Sequence, residues 1–71
     1  MIELYAHELT GEHIGKPASA SWRGKWSIVQ KLKGMESVTD ATGRLISRTV
    51  IFRDGTQITT RDMQLKIRVW L

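Results

Sequence analysis

The stretch RLISRTVIFRDGTQITT, residues 44–60, decides the fold class. It consists of two runs rich in β-branched residues, separated by Asp54-Gly55. A dipeptide of this type between two such runs is the strongest short-range signal for a β-hairpin. The stretch therefore predicts two antiparallel strands joined by a tight turn, and it makes an all-β fold the expected class.

The first strand of this hairpin does not alternate cleanly. Ile46, Val50 and Phe52 share one face with Arg48, although a buried face rarely holds an unpaired charge. The opposite face is also half apolar. We therefore expect one of two arrangements: either the face opens onto solvent or a partner at Arg48, or the strand is bulged there.

Two shorter segments before the hairpin also alternate. Residues 17–22 and 25–32 are separated by Arg23-Gly24, which is typical of a tight reversal, and they predict two more antiparallel strands. The small alanine and serine side chains of the first segment face tryptophans, and bulky rings pack well against small neighbours.

Two breaks lie between this region and the hairpin. Lys33-Gly34 interrupts the strand, and residues 35–38 either extend it beyond a bulge or form a loop. Residues 40–43, DATG, predict a turn, because Asp accepts hydrogen bonds from the backbone ahead of it and Gly adopts positive φ.

The end of the chain predicts one more strand. Residues 65–71 alternate throughout and are expected to direct Leu65, Ile67, Val69 and Leu71 to the core, with Lys66, Arg68 and Trp70 on the other face. The polar residues 60–63 suit one 3₁₀ turn before this strand.

This order of elements predicts a small five-stranded closed barrel with a single 3₁₀ turn before the last strand. Closure would remove the exposed edges that make a short strand-rich chain prone to aggregation. The barrel is expected to be a single domain spanning residues 1–71, with residues 1–8 as either an arm or an edge strand.

The same order resembles the SH3-like and Sm-like small barrels. LTGEHIGK at residues 9–16 and WSIV at residues 26–29 are similar to the pattern of short barrel proteins from actinobacterial phages. The likeness covers most of the chain and implies a small phage-type protein. It implies no activity, because such barrels serve RNA, DNA, peptides and oligomerisation alike.

Size and composition limit what the chain can do. It has 71 residues and no cysteine, which excludes disulfides and thiolate metal sites. His7 and His13 lie beside Glu8 and Glu12 without the spacing of a zinc site, so we expect them to be solvated. No apolar run approaches the roughly 20 residues of a membrane span. A cytoplasmic location, host cytoplasm if the chain is phage-encoded, is therefore expected.

Catalytic motifs were sought and none was found. The chain has no GxSxG, P-loop, GxGxxG or CxxC pattern and no paired carboxylates suited to acid–base work. We therefore predict a non-enzymatic protein without a cofactor.

The charge distribution raises the possibility of nucleic-acid binding. Residues 1–12 carry three glutamates and no cation, whereas residues 13–71 carry all 11 Lys and Arg against 4 acids. Cations would contact phosphates and an exposed indole would stack on a base, unless the tryptophans belong to the core. The candidate residues are Trp22, Arg23, Lys25, Lys31, Lys33, Arg44 and Arg48, with Trp26 interleaved among them.

Protein interaction is the leading interpretation, because the cations are spread over every strand and no nucleic-acid signature is present. The partner would be a host protein or a second copy of the chain. The hairpin strand and the terminal strand would offer an edge for strand addition or an aromatic anchor. The candidate interface residues are Arg48, Lys66, Arg68 and Trp70.

Overall fold

The computed structural model describes residues 1–61 and 65–71. In these ranges the chain is all-β, as predicted, with seven strands and no helix longer than one 3₁₀ turn. The strands are β1 Ile2–Tyr5, β2 Pro17–Trp22, β3 Lys25–Trp26, β4 Gln30–Thr39, β5 Leu45–Phe52, β6 Gln57–Thr60 and β7 Lys66–Val69. Two 3₁₀ turns, Ala6–Glu8 and Gly11–His13, lie between β1 and β2.

The strands form one antiparallel sheet in the order β1-β7-β2-β4-β5-β6, and β3 pairs with β2 outside this path. The predicted closed barrel is wrong, because β1 and β6 lie at opposite ends of the sheet and do not pair. The ladder is weakest in its middle, where β2 and β4 share only the pairs Pro17↔Lys31 and Ala18↔Gln30. The SH3-like or Sm-like barrel type is therefore not confirmed.

The predicted number of five strands is wrong for two reasons. The segment at residues 25–32 divides into the two-residue β3 and the start of β4, because residues 27–29 leave the sheet. Ile28, within the predicted strand, is 84% exposed as a result. Within the predicted segment 1–8, residues 2–5 pair with β7 as an edge strand and residues 6–8 form a 3₁₀ turn.

The core lies on one face of the curved sheet. Its fully buried large side chains are Leu32, Val50, Phe52, Ile67 and Val69. Ala18 and Ala20 are also buried, which lets β2 approach the large side chains closely. The alternation predicted for β7 is confirmed at Ile67 and Val69, but Leu71 is 75% exposed because the strand ends at Val69.

Three turns follow the predicted chemistry. Arg23 and Gly24 have φ of 51° and 79°, the positive pair of a type I′ hairpin turn. At the Asp54-Gly55 turn, Phe52 N–H donates to Thr56 O and Gly55 N–H donates to Phe52 O, which makes a three-residue loop. Gly55 has φ of 91° there, a value that favours glycine.

The turn at residues 40–43 has the same construction, since Asp40 N–H donates to Arg44 O and Gly43 N–H donates to Asp40 O. Beyond Lys33-Gly34 the strand continues to Thr39 with a register shift between Leu32 and Gly34, so the predicted bulge is confirmed. Residues 62 and 63 of the 3₁₀ turn predicted at residues 60–63 lie outside the described residues, and Thr60 belongs to β6.

Candidate functional site

A groove of about 640 Å³ opens between the β2–β3 hairpin and β6. The hairpin forms one wall and the edge of β6 forms the other. The described residues that line it are Trp22, Arg23, Lys25, Trp26, Ser27, Thr56, Gln57, Ile58 and Thr59. We call this surface the hairpin groove. It brings together two segments that are about 30 residues apart in the sequence.

Exposed indoles form the hairpin wall of this groove. Trp22 pairs with Lys25 across the type I′ turn, and Ser21 pairs with Trp26. Trp22 is 44% exposed and Trp26 is 38% exposed, so the interpretation of both as core residues is wrong. The physical reason is that β3 is only two residues long and pairs only with β2, so the hairpin extends beyond the buried part of the sheet.

The electrostatic character of the hairpin groove is basic. Arg23 and Lys25 belong to its lining, and no described lining residue is acidic. The Arg23 guanidinium lies 5.8 Å from the Trp22 ring centroid. A concave surface that carries only positive charges between apolar walls attracts an anionic partner and offsets the free-energy cost of desolvating its charge.

Arg68 packs against Trp26, one of the residues that line the groove. Its guanidinium lies 3.9 Å from the Trp26 ring centroid, within the range of a cation–π interaction. Its Nε lies 3.4 Å from Glu3 Oε2, and Lys66 Nζ lies 3.6 Å from Glu3 Oε1. Glu3, on the neighbouring strand β1, therefore holds Arg68 where its guanidinium covers the indole.

The residues predicted for a protein interface at the terminal strand differ in their surroundings. Trp70 is 36% exposed, but Lys66 and Arg68 make ion pairs within the protein. Strand β7 lies between β1 and β2, and Trp70 N–H donates to Pro17 O, so the terminal strand offers no free edge. The prediction of strand addition at β7 is wrong, and the same holds for β5, which lies between β4 and β6.

The opposite wall of the groove is a sheet edge. Hydrogen-bonded and non-hydrogen-bonded pairs alternate along an antiparallel ladder. Phe52 and Thr56 form the hydrogen-bonded pair next to the turn, so the next residues of β6 that are hydrogen-bonded to β5 are Ile58 and Thr60. Gln57 and Thr59 occupy the positions between them and direct their backbone N–H and C=O groups away from β5. Both residues line the groove, which therefore contains main-chain donors and acceptors.

Arg48, the misfit of the sequence, has a structural role. Its Nη1 donates to Ala6 O and to Leu9 O, both at 2.9 Å, and its Nε donates to Ser37 Oγ at 3.1 Å. The side chain thus fastens the first 3₁₀ turn to the β4–β5 hairpin. Arg48 was a candidate for both the nucleic-acid and the protein interface; both assignments stay predictions, and three acceptors within the chain already engage its guanidinium.

The other predicted nucleic-acid residues do not join the groove. Lys31, Lys33 and Arg44 are exposed, but none of them lines the groove. Lys31 lies on β4 opposite Pro17, Lys33 lies at the β4 bulge, and Arg44 closes the turn before β5. Only Trp22, Arg23 and Lys25 of the predicted set come together, with Trp26 beside them. The missed part is Thr56–Thr59, because the sequence pattern predicts a hairpin strand there but not which of its edges stays unpaired.

Two further observations concern the remaining chemistry. His7 stacks on Tyr5 with ring centroids 5.9 Å apart, and His13 Nδ1 accepts a hydrogen bond from Thr10 N–H. In the part of the chain that the structure describes, no three metal-binding side chains lie together. The described residues also contain no helix of the length and apolarity needed to cross a membrane.

Comparison with protein-family models, with curated proteins and with solved structures finds no match to this chain. The resemblance to SH3-like, Sm-like and phage barrel proteins therefore stays a prediction.

Proposed function

We propose that this chain is a non-enzymatic protein-interaction module that binds an acidic segment of a partner protein in the hairpin groove. The observation that carries the proposal is the composition of the groove, which joins two exposed indoles and two cations with no acid in its described lining. Tryptophan and arginine are the residues that most often dominate binding energy at protein interfaces.

The groove supports binding better than catalysis. Its described lining supplies the hydroxyls of Ser27, Thr56 and Thr59 but no histidine, carboxylate or thiol. A hydroxyl nucleophile needs an adjacent base, and acid–base chemistry needs a group that titrates near neutral pH. The concave shape and the apolar side chains instead suit the burial of a partner's side chains.

The experiment is a titration of fluorescein-labelled peptides that are rich either in glutamate and valine or in lysine and valine, read by anisotropy. The native chain is expected to bind the acidic peptide at least tenfold more tightly. The double variant Arg23→Glu/Lys25→Glu should reverse this preference, because it exchanges the charge of the groove.

A matched control is available in the same molecule. Lys31→Glu/Lys33→Glu changes the net charge by the same amount at exposed positions outside the groove. It should retain the preference for the acidic peptide, with a weaker long-range effect that salt screens. An equal loss of affinity in both double variants would show that only net charge matters, and the groove assignment would then be wrong.

Single-stranded nucleic acid is a second candidate, favoured by the exposed indoles beside Arg23 and Lys25. Stacking of bases on aromatic rings combined with phosphate contacts is the usual chemistry of such sites. Two phosphate contacts predict a log–log salt slope of about −1.4 for single strands. Titration with oligodeoxythymidine and oligouridine at two salt concentrations tests this candidate, and an absence of binding at low salt would eliminate it.

A further inference from the structure

The outer edge of β6 offers main-chain hydrogen-bonding groups to the groove in addition to its side chains. We infer that the partner segment binds as an additional β-strand on β6, as an extended peptide in which apolar and acidic residues alternate. This inference rests on the proposed function and specifies how the partner is held. It replaces the predicted strand addition at β5 or β7, which are both interior strands.

The backbone of β6 supplies the hydrogen bonds that such a peptide needs. Gln57 and Thr59 direct two N–H and two C=O groups into the groove, as the pairing of β5 with β6 requires. The four residues of β6 extend over about 13 Å at roughly 3.3 Å per residue, which matches about four residues of an extended partner. Main-chain bonds of this kind provide affinity with little dependence on sequence.

The edge of β6 also lacks the features that normally prevent strand addition. Exposed edges usually carry lysine, proline or a bulge. The sequence of β6, QITT, has none of these residues, and its register with β5 is unbroken from Gln57 to Thr60. By contrast, the other end of the sheet is an edge that carries a charge, since β1 contains Glu3.

The side chains around the edge select the class of peptide. Ile58 pairs with the buried Val50 and is half-buried, and Trp22 follows Ala18 and Ala20 on the alternating face of β2. Apolar residues of the added strand therefore pack between Ile58 and Trp22. The charge of the groove favours acidic residues at the alternate positions of this strand, because its described lining contains Arg23 and Lys25 and no acid.

The probe is acetyl-Glu-Val-Glu-Val-Glu-Val-amide, with a lysine-for-glutamate version as the charge control. Two further versions carry N-methyl groups, one on every valine and the other on every glutamate. Because successive N–H groups of a strand point in opposite directions, only one set of N–H groups faces β6. Strand addition predicts that one methylated version loses at least about tenfold in affinity and that the other retains it within about threefold.

Amide hydrogen exchange gives a residue-specific second readout. Binding of the unmethylated peptide should slow exchange at Gln57 and Thr59 at least tenfold, because their N–H groups gain acceptors. Exchange at Ile58 should change much less, since its N–H faces β5 already. Sedimentation of the free chain at the same concentration determines whether a second copy occupies the edge.

The outcomes separate the inference from the function on which it rests. If the acidic peptide binds and Arg23→Glu/Lys25→Glu reverses the preference, but the two methylated versions bind equally, strand addition is wrong and the proposed function stands. If no acidic peptide binds, the proposed function fails. If Gln57 and Thr59 are already protected in a self-associated chain, the occupant is a second copy and the inference of a foreign segment is overturned.

Discussion

Replacing Arg48 with alanine should detach the segment between β1 and β2 from the rest of the sheet. The substitution removes two hydrogen bonds to the carbonyls of Ala6 and Leu9 and one to the Ser37 hydroxyl. Each bond from a charged donor to a partly buried carbonyl contributes about 1.5 kcal/mol, the low end for bonds that involve a charge, and the exposed bond to the hydroxyl contributes less. We expect a total loss of about 3 kcal/mol in the free energy of unfolding.

This loss is large for so small a domain. A chain of 71 residues is expected to have a free energy of unfolding of roughly 4–10 kcal/mol. The melting temperature of Arg48→Ala should therefore fall by roughly 10–20 °C. Arg48→Lys should lie between the two proteins, because a single ammonium group keeps the charge but does not reproduce the planar fork that reaches several acceptors.

The assay is urea denaturation followed by tryptophan fluorescence, with amide hydrogen exchange as a local readout. Ala6 N–H donates to Leu65 O at 2.8 Å, so its protection should fall together with stability in Arg48→Ala. Arg44→Ala is the control, since it removes the same side chain from an exposed position and should cost no more than about 0.5 kcal/mol. Equal stabilities of Arg48→Ala and Arg44→Ala would refute the structural role of the guanidinium.

Three further predictions concern other parts of the molecule. Gly55→Ala should cost about 1–2 kcal/mol in urea denaturation because Gly55 has φ of 91°, whereas Gly34→Ala, at negative φ and with nothing within 4 Å, should cost less than half as much. Arg68→Met should weaken binding of the acidic peptide about 2–5-fold by removing the cation–π contact, whereas Lys66→Met, which breaks an ion pair with the same glutamate, should not. Hydrogen bonds from the hydroxyl of Thr56, and to a lesser extent from its N–H, hold the pKa of the Asp54 carboxyl below its ordinary value of 3.8. The ionised Asp54 therefore contributes fully to stability above pH 3.8, and this contribution is lost as the pH falls through the lower pKa of the folded state. Denaturation between pH 2 and 6 should therefore show a smaller acid-induced loss for Asp54→Asn than for the native chain, and parallel curves would contradict this.

The fold class and the turns were accessible from the sequence because their causes are local. Asp54-Gly55 and Arg23-Gly24 are short combinations whose backbone preferences act within four residues. The alternation of residues 65–71 likewise identified the buried Ile67 and Val69. These features depend on neighbours in the chain and not on how distant strands come together.

The open sheet and the groove could not be predicted from the sequence, because they depend on pairing between strands that are distant in the chain. Whether residues 25–32 form one strand depends on which other strand lies beside them, and among the described residues β3 has no neighbour besides β2. That missing neighbour exposes Trp22 and Trp26 and leaves the edge of β6 free. The two walls of the groove are set by pairings of β2 and β5 that no local pattern specifies.

The misfit at Arg48 was visible in the sequence, but its partner was not. An arginine between Ile46 and Val50 indicated something other than a plain core strand. The pairing of β5 with β4 is irregular at Ile46, which is 41% exposed, so an irregularity lies two residues before Arg48. The sequence did not indicate that two main-chain carbonyls about 40 residues earlier in the chain accept the hydrogen bonds of Arg48. Backbone acceptors carry no sequence signature, so this contact is recognised only in three dimensions.

The position of β7 has a consequence for how the chain folds during synthesis. Strands β4, β5 and β6 are joined by short turns and can pair as soon as residues 30–60 have left the ribosome. Among the described strands, β1 pairs with β7 alone although it precedes it by about 60 residues, and β2 has more pairs with β7 than with either β3 or β4. The N-terminal residues therefore wait, with Ile2 and Leu4 uncovered, until residues 66–69 emerge, and this long-range closure is expected to be the slow step of folding.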